Sequence, residues 1–215
     1  EQRLERHRRE VRDTARDQDV FRTGLLPALI PLLGPRDAAR LQAWARVQGQ
    51  AATAAARRSL ASRETSDHLL AFTRDLLRLE AGKPGASTEP LRPWALKRLR
   101  QRHRRLLNGI RSADLFDAVE RHQVRIEAKK LRYALDFLGS LWPPEALHEL
   151  TEALVQAQEL LGQMNDRVSA QHLLATAPQA GAERLQMVLG AQLVQSAAHL
   201  PLVLKAVMQA STPWK

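Results

Sequence analysis

"RHQVRIEAKKLRYALDFL", Arg121–Leu138, reads as a helix, yet it sets Lys, Arg and His among residues that should build a core. With His122 placed at 0° and about 100° per residue, Arg125, Lys129 and Arg132 fall near 300°, 340° and 280°. Together they form one cationic stripe. Val124, Leu131, Leu135 and Leu138 fall near 160–220°, and Ile126, Tyr133 and Phe137 near 20–60°. An ordinary surface helix has a single apolar stripe. Two apolar arcs predict a helix packed on both flanks, with its cations lining a cleft. The competing reading is a solvated basic face whose long stems lie along apolar surface.

The charge around this helix supports a ligand-facing role. The chain has 215 residues and a net charge of +10. Between Arg92 and Arg132 thirteen Lys/Arg stand against Asp114, Asp117, Glu120 and Glu127, a net +9, so the remainder is nearly neutral. Such concentration predicts a polyanionic partner. Arg supplies 27 of the 33 cations, and its planar fork suits phosphate oxygens, although a GC-rich genome would give the same bias. With no Cys the chain has neither a disulfide framework nor Cys-rich zinc chemistry. The apolar run "LLPALIPLLG", Leu25–Gly34, is too short to span a bilayer, and no membrane partner is expected.

Working outward, the signals are almost all helical. Helices are expected over residues 1–26, 36–58, 67–80, 91–111, 121–141, 145–165 and 183–209, with 171–176 continuing helical. Pro27, Pro31 and Gly34-Pro35 break the chain after the first helix, "GKPGASTEP" is a loop, and Pro201 should bend the last helix. Ser112 is expected to cap the helix after "SADLFDAVE", and Pro144 suits a first helical turn. With no strand-like run, the fold class is all-α, in antiparallel bundles.

A short internal match superposes Arg16-Asp17 in "RDTARDQDV" on Asn165-Asp166 in "LGQMNDRVS". Taken with it, "HQVRIEAKKLRYALDFL" and "LVQAQELLGQMNDRVSA" closely resemble the conserved histidine α-helical domain, CHAD. The family hallmark His-x-x-Arg-x-x-x-Lys-Lys-Leu-Arg-Tyr is filled by His122, Arg125, Lys129, Lys130, Leu131, Arg132 and Tyr133. Leu161, Gly162, Asn165 and Asp166 match the end of the next helix, and Arg16, Asp17, Asp19 and Val20 match the ending of the first half. The resemblance implies two pseudo-twofold-related bundles around a basic channel that binds inorganic polyphosphate. It also implies a cytoplasmic location at polyphosphate granules and, in some members, a fused or associated CYTH domain. The halves would be residues 1–111 and 112–215 of one domain. The first half would lack its opening basic helix, since the equivalent of His122, 149 residues earlier, precedes Glu1.

The expected polyphosphate-binding residues are His122, Arg125, Lys129, Lys130, Arg132 and Tyr133. Lys97, Arg98, Arg100, Arg104 and Arg105 join them on charge density alone. Cations at i, i+3, i+7 and i+10 make a row of donors roughly 15 Å long. His122 adds a ring N–H donor to the row. Asp17, Asn165 and Asp166 are expected to order neighbouring side chains or cap helices. Glu145-x-x-His148 has di-metal spacing but occurs once, where such a site needs two copies. His103 is expected on the basic face. No His-Glu-x-x-His, P-loop or Gly-x-Ser-x-Gly is present. The expectation is therefore a non-enzymatic module without metal or cofactor. Nucleic-acid binding is the alternative, disfavoured because the basic segment has few aromatics for stacking. An accessory to a phosphate-processing enzyme is the third reading.

Overall fold

The computed structural model describes residue 11 and residues 13–81 and 90–214, and among these every regular element is helical. Helix α1 (residues 13–20) runs into a π-turn, Phe21–Leu25, closed by the Leu26 amide on the Phe21 carbonyl. The cause lies just downstream. Pro27 cannot donate, and its ring displaces the carbonyl four residues back, so the ladder widens. Helix α2 (Leu26–Leu29) and a 3-10 turn at Ile30–Leu32 carrying Pro31 follow. The break expected here is thus a helix that changes register and stops only at Leu33-Gly34.

Helix α3 (Pro35–Leu60) opens with Pro35 in its first turn and Asp37 near its positive end, and closes with Arg57 and Arg58 near its negative end. After a two-residue break, Ser62 accepts from the Thr65 amide and starts α4 (Arg63–Ala81). Next come α5 (Leu91–Ser112), α6 (Ala118–Leu138), a 3-10 turn at Gly139–Leu141, α7 (Glu145–Leu174) and α8 (Gln179–Gln209). Most of the expected loop over 82–90 and the first ten residues lie outside the described residues. Two expectations change. Ser112 ends α5, and Asp117 is the cap of α6, accepting from the Glu120 amide at 2.8 Å. The pieces expected at 145–165 and 171–176 are one helix.

The chain forms two compact units, Glu1–Thr88 with Ser169–Met187 and Glu89–Val168 with Val188–Lys215. Helix α5 lies in the second unit, where it shares a core with α6. In the first unit Phe21, Leu26, Leu29, Leu41 and Ala45 are buried, and the Phe21 ring meets Trp44 edge-on at 6.3 Å. Gly181 sits at φ +87°, where a Cβ would also approach Asp37 Cβ at 3.2 Å and Leu33 at 3.3 Å. Conformation and space both demand glycine.

In the second unit each helix contributes one stripe. Ala95, Leu99, Leu106 and Ile110 come from α5, and Val124, Ala128, Leu131 and Leu135 from α6. Leu150, Leu154, Leu161 and Met164 come from α7, and Leu200, Leu204 and Val207 from α8, with Trp142 and Trp214 filling the end. Burial of each Leu stabilises the fold by roughly 1.5–3 kcal/mol. One described helix, Gly181–Gln209, is long and apolar enough to cross a membrane, with mean hydropathy 1.4. Its leucines at 185, 189, 200 and 204 are core residues.

Candidate functional site

The buried residues of α6 are Arg121, Val124, Ala128, Leu131 and Leu135. His122, Arg125, Lys129 and Arg132 each follow a buried position by one residue, so they stand about 100° round from it. All four are half-buried. The cationic stripe therefore borders the core rather than facing open water. The second apolar arc does not pack as expected: Tyr133 is 45% exposed and Phe137 84%. That arc lies nearly opposite the core stripe, and one helix cannot press both sides into one core. The stripe is thus flanked by core on one side and by an open aromatic edge on the other.

Side-chain contacts order the stripe. His122 Nδ1 lies 2.9 Å from Asn165 Oδ1 of α7. An amide oxygen only accepts, so this contact puts a proton on Nδ1 and leaves Nε2 as the ring's other functional atom. A cavity of about 30 Å³ adjoins the pair, lined also by Arg121 and Val168. Arg125 Nε passes Gly162 of α7, 4.0 Å from where a Cβ would stand. Lys129 Nζ and Arg132 Cζ lie 5.8 and 5.3 Å from the centre of the Tyr133 ring. Arg132 Nε is buried with no hydrogen-bond partner among the described residues, a donor lacking an acceptor. Lys130 instead points outward and pairs with Glu127 at 2.6 Å.

Arg121, adjacent in sequence, has a different task. It is buried and donates to the carbonyls of Leu115 and Phe116 at 2.9 and 2.7 Å. Burial lowers its pKa, against the opposing pull of Asp117 and Asp114. It tethers the α5–α6 connection and is not a ligand-facing cation.

The five α5 cations named from charge density, Lys97, Arg98, Arg100, Arg104 and Arg105, line one open cavity of about 800 Å³ with Trp94. No described residue of α6 lines it, so the α5 set and the α6 stripe are two basic surfaces of the second unit. Arg98 lies 5.5 Å from the Trp94 ring. Arg100 is partly committed, donating to the Trp214 carbonyl at 2.7 Å. His103 is a correction. It is buried, not on the basic face, and its Nδ1 accepts from the Trp214 indole N–H at 3.1 Å. Asp17 pairs with its neighbour Arg16 at 3.4 Å. Asp166, next to Asn165, is half-buried. Glu145 and His148 are exposed, and no group of three metal-ligating side chains occurs among the described residues.

A third basic cavity, of about 530 Å³, lies in the first unit and has Arg22, Arg46 and Arg57 in its wall. Sequence reasoning missed it because its arginines come from separate elements, Arg22 from ahead of the proline break and Arg46 and Arg57 from α3. The available signal was the one-faced spacing of Arg46, Gln50, Thr53 and Arg57 on α3.

A family model described as the CHAD domain matches residues 1–175. The chain belongs to the CHAD domain family. Among solved structures, it is similar to the crystal structure of the CHAD domain from the plant Ricinus communis. The TM-score is 0.79 at 26% identity, covering 99% of this chain and 73% of that one. A search of curated proteins finds no match. In this CHAD domain the residues from His122 to Tyr133 lie on α6, and Asn165 and Asp166 lie on α7.

Proposed function

We propose that this CHAD domain binds inorganic polyphosphate through the basic surfaces of its second unit, as a non-catalytic granule-targeting or scaffolding module. The observation that carries the reading is the half-buried row His122–Arg125–Lys129–Arg132, with an unpartnered buried donor on Arg132. A row roughly 15 Å long suits a linear anion of repeated phosphoryl groups better than a compact ligand. Guanidinium forks bind oxygens bidentately, Lys129 adds a point charge, and the partial desolvation of the row strengthens each contact. The α5 cavity, with Lys97, Arg98, Arg104 and Arg105, is a second stretch of surface along which a long chain could continue.

Membership of the family supports this reading in general terms. Nucleic acid is the rival ligand. Trp94, Tyr133 and the exposed Phe116 and Phe137 supply some aromatic surface, but no row of rings accompanies the cations as base stacking needs. The deciding experiment is a competition of long polyphosphate against RNA and single-stranded DNA at one fixed salt concentration. Polyphosphate should displace both at equal phosphate concentration. Displacement of polyphosphate by either nucleic acid would reject the proposal.

A further inference from the structure

Helix α4, in the first unit, turns an apolar face to solvent. With Leu69 at 0°, the residues Phe72, Leu76, Thr73, Leu77 and Leu70 fall between about 300° and 100°, one arc roughly 160° wide. A helix of that pattern ordinarily buries the arc against its own core. Here Leu69, Leu70, Phe72, Leu76 and Leu77 are between 47% and 68% exposed. From Ser66 to Arg78 every residue except Ala71 is exposed. The five apolar side chains together present on the order of 600 Å², the upper end of what a monomer leaves uncovered in one patch.

The charges of α4 select what covers this face. Between Arg63 and Arg78 three arginines stand against Glu64, Asp67 and Asp75. Arg63 pairs with Asp67 at 3.8 Å, and Arg74 and Arg78 pair with Asp75 at 3.5 and 3.9 Å. Such a neutral back lacks the Lys/Arg surplus of a helix that lies on an anionic membrane. It also lacks the single-signed rim that selects an oppositely charged protein. A second copy of the chain meets a neutral face without repulsion, whereas self-contact through the net +9 of α5 and α6 would be opposed. Two such faces together bury roughly 1,200 Å², where specific interfaces begin. The arc is also self-complementary. About a dyad between Phe72 and Thr73, antiparallel copies set Leu69 against Leu76 of the second copy and Phe72 beside the smaller Thr73. The same arrangement lays the positive end of each helix beside the negative end of the other.

We propose that α4 is the interface of a symmetric homodimer, two copies packing antiparallel across Phe72 and Thr73. The interface does not depend on the α6 reading. The experiment is sedimentation velocity of the full chain from about 1 to 100 μM, where a reversible monomer–dimer equilibrium with a micromolar Kd is expected. Leu69→Lys with Leu76→Lys should weaken the dimer by about a hundredfold. The circular dichroism spectrum should not change, because both side chains are exposed in the single chain. The matched control is Phe116→Lys with Phe137→Lys, at positions 81% and 84% exposed in the second unit, and it should leave the dimer intact. The chain has no cysteine, so single thiols report the pairing directly. Under mild oxidation Leu69→Cys chains should cross-link to Leu76→Cys chains in a mixture, and neither variant to itself. Antiparallel pairing sets 69 opposite 76 and leaves like positions roughly 10 Å apart along the axis, too far for a disulfide.

A single monomeric species across the whole concentration range overturns the interface while leaving the α6 reading intact. A dimer that survives the α4 double substitution overturns it too, as does one lost equally in the control, since either result places the contact elsewhere. Cross-linking of each thiol variant to itself, with none between the two, overturns the antiparallel pairing.

Discussion

At the scale of residues, burial separates cations that look alike in sequence. Arg121 and Arg125 are four apart, yet one holds the carbonyls of Leu115 and Phe116 while the other borders the core beside Gly162. Replacing Arg125, Lys129 and Arg132 together by Gln should leave the circular dichroism spectrum unchanged. Polyphosphate affinity should fall by roughly thirty- to a thousandfold, the lower figure allowing for non-additivity. The matched control is Arg40→Gln, Arg63→Gln and Arg78→Gln, three exposed positions outside the basic segment. If the control loses as much affinity, net charge alone drives binding. Arg121→Ala, by contrast, should cost on the order of 1–3 kcal/mol in chemical denaturation, because two carbonyls lose their donor. Asn165→Ala should weaken polyphosphate binding by a few-fold without unfolding, since it frees the His122 ring to rotate.

At the scale of elements, α6 has one core face and one open face. Leu131 is fully buried, so Leu131→Ala should destabilise the protein by about 2–5 kcal/mol in denaturant melts. Phe137→Ala, at a position 84% exposed, should change stability by less than about 0.5 kcal/mol. Equal losses at both positions would mean the second arc packs after all. Asp117→Ala should cost roughly 0.5–2 kcal/mol by removing the N-cap. The helical stripe was legible because an interval of three or four residues repeats through the whole element. The open face was not, since a period identifies an apolar arc and says nothing about whether another element exists to cover it.

At the scale of the whole molecule, the net +9 lies almost wholly on α5 and α6. Both surfaces should release counterions when a polyanion binds. The logarithm of affinity for long polyphosphate should therefore fall steeply and linearly with the logarithm of salt concentration. A flat response between low and physiological salt would contradict an electrostatic mechanism.

The helical class, the stripe on α6, the hallmark residues and the helix limits to within about four residues, the end of α7 excepted, followed from the sequence by itself, because capping, proline placement and apolar period are local properties. Tertiary structure decided the rest. It set His103 in the core against Trp214, 111 residues away, and gave Arg100 the carbonyl of the same tryptophan. It divided the chain so that α7 and α8 each contribute to two compact units. It brought Arg22 across Gly49 of α3. Those outcomes depend on which distant surfaces meet, and the free energy of such a meeting belongs to pairs of segments rather than to either one alone.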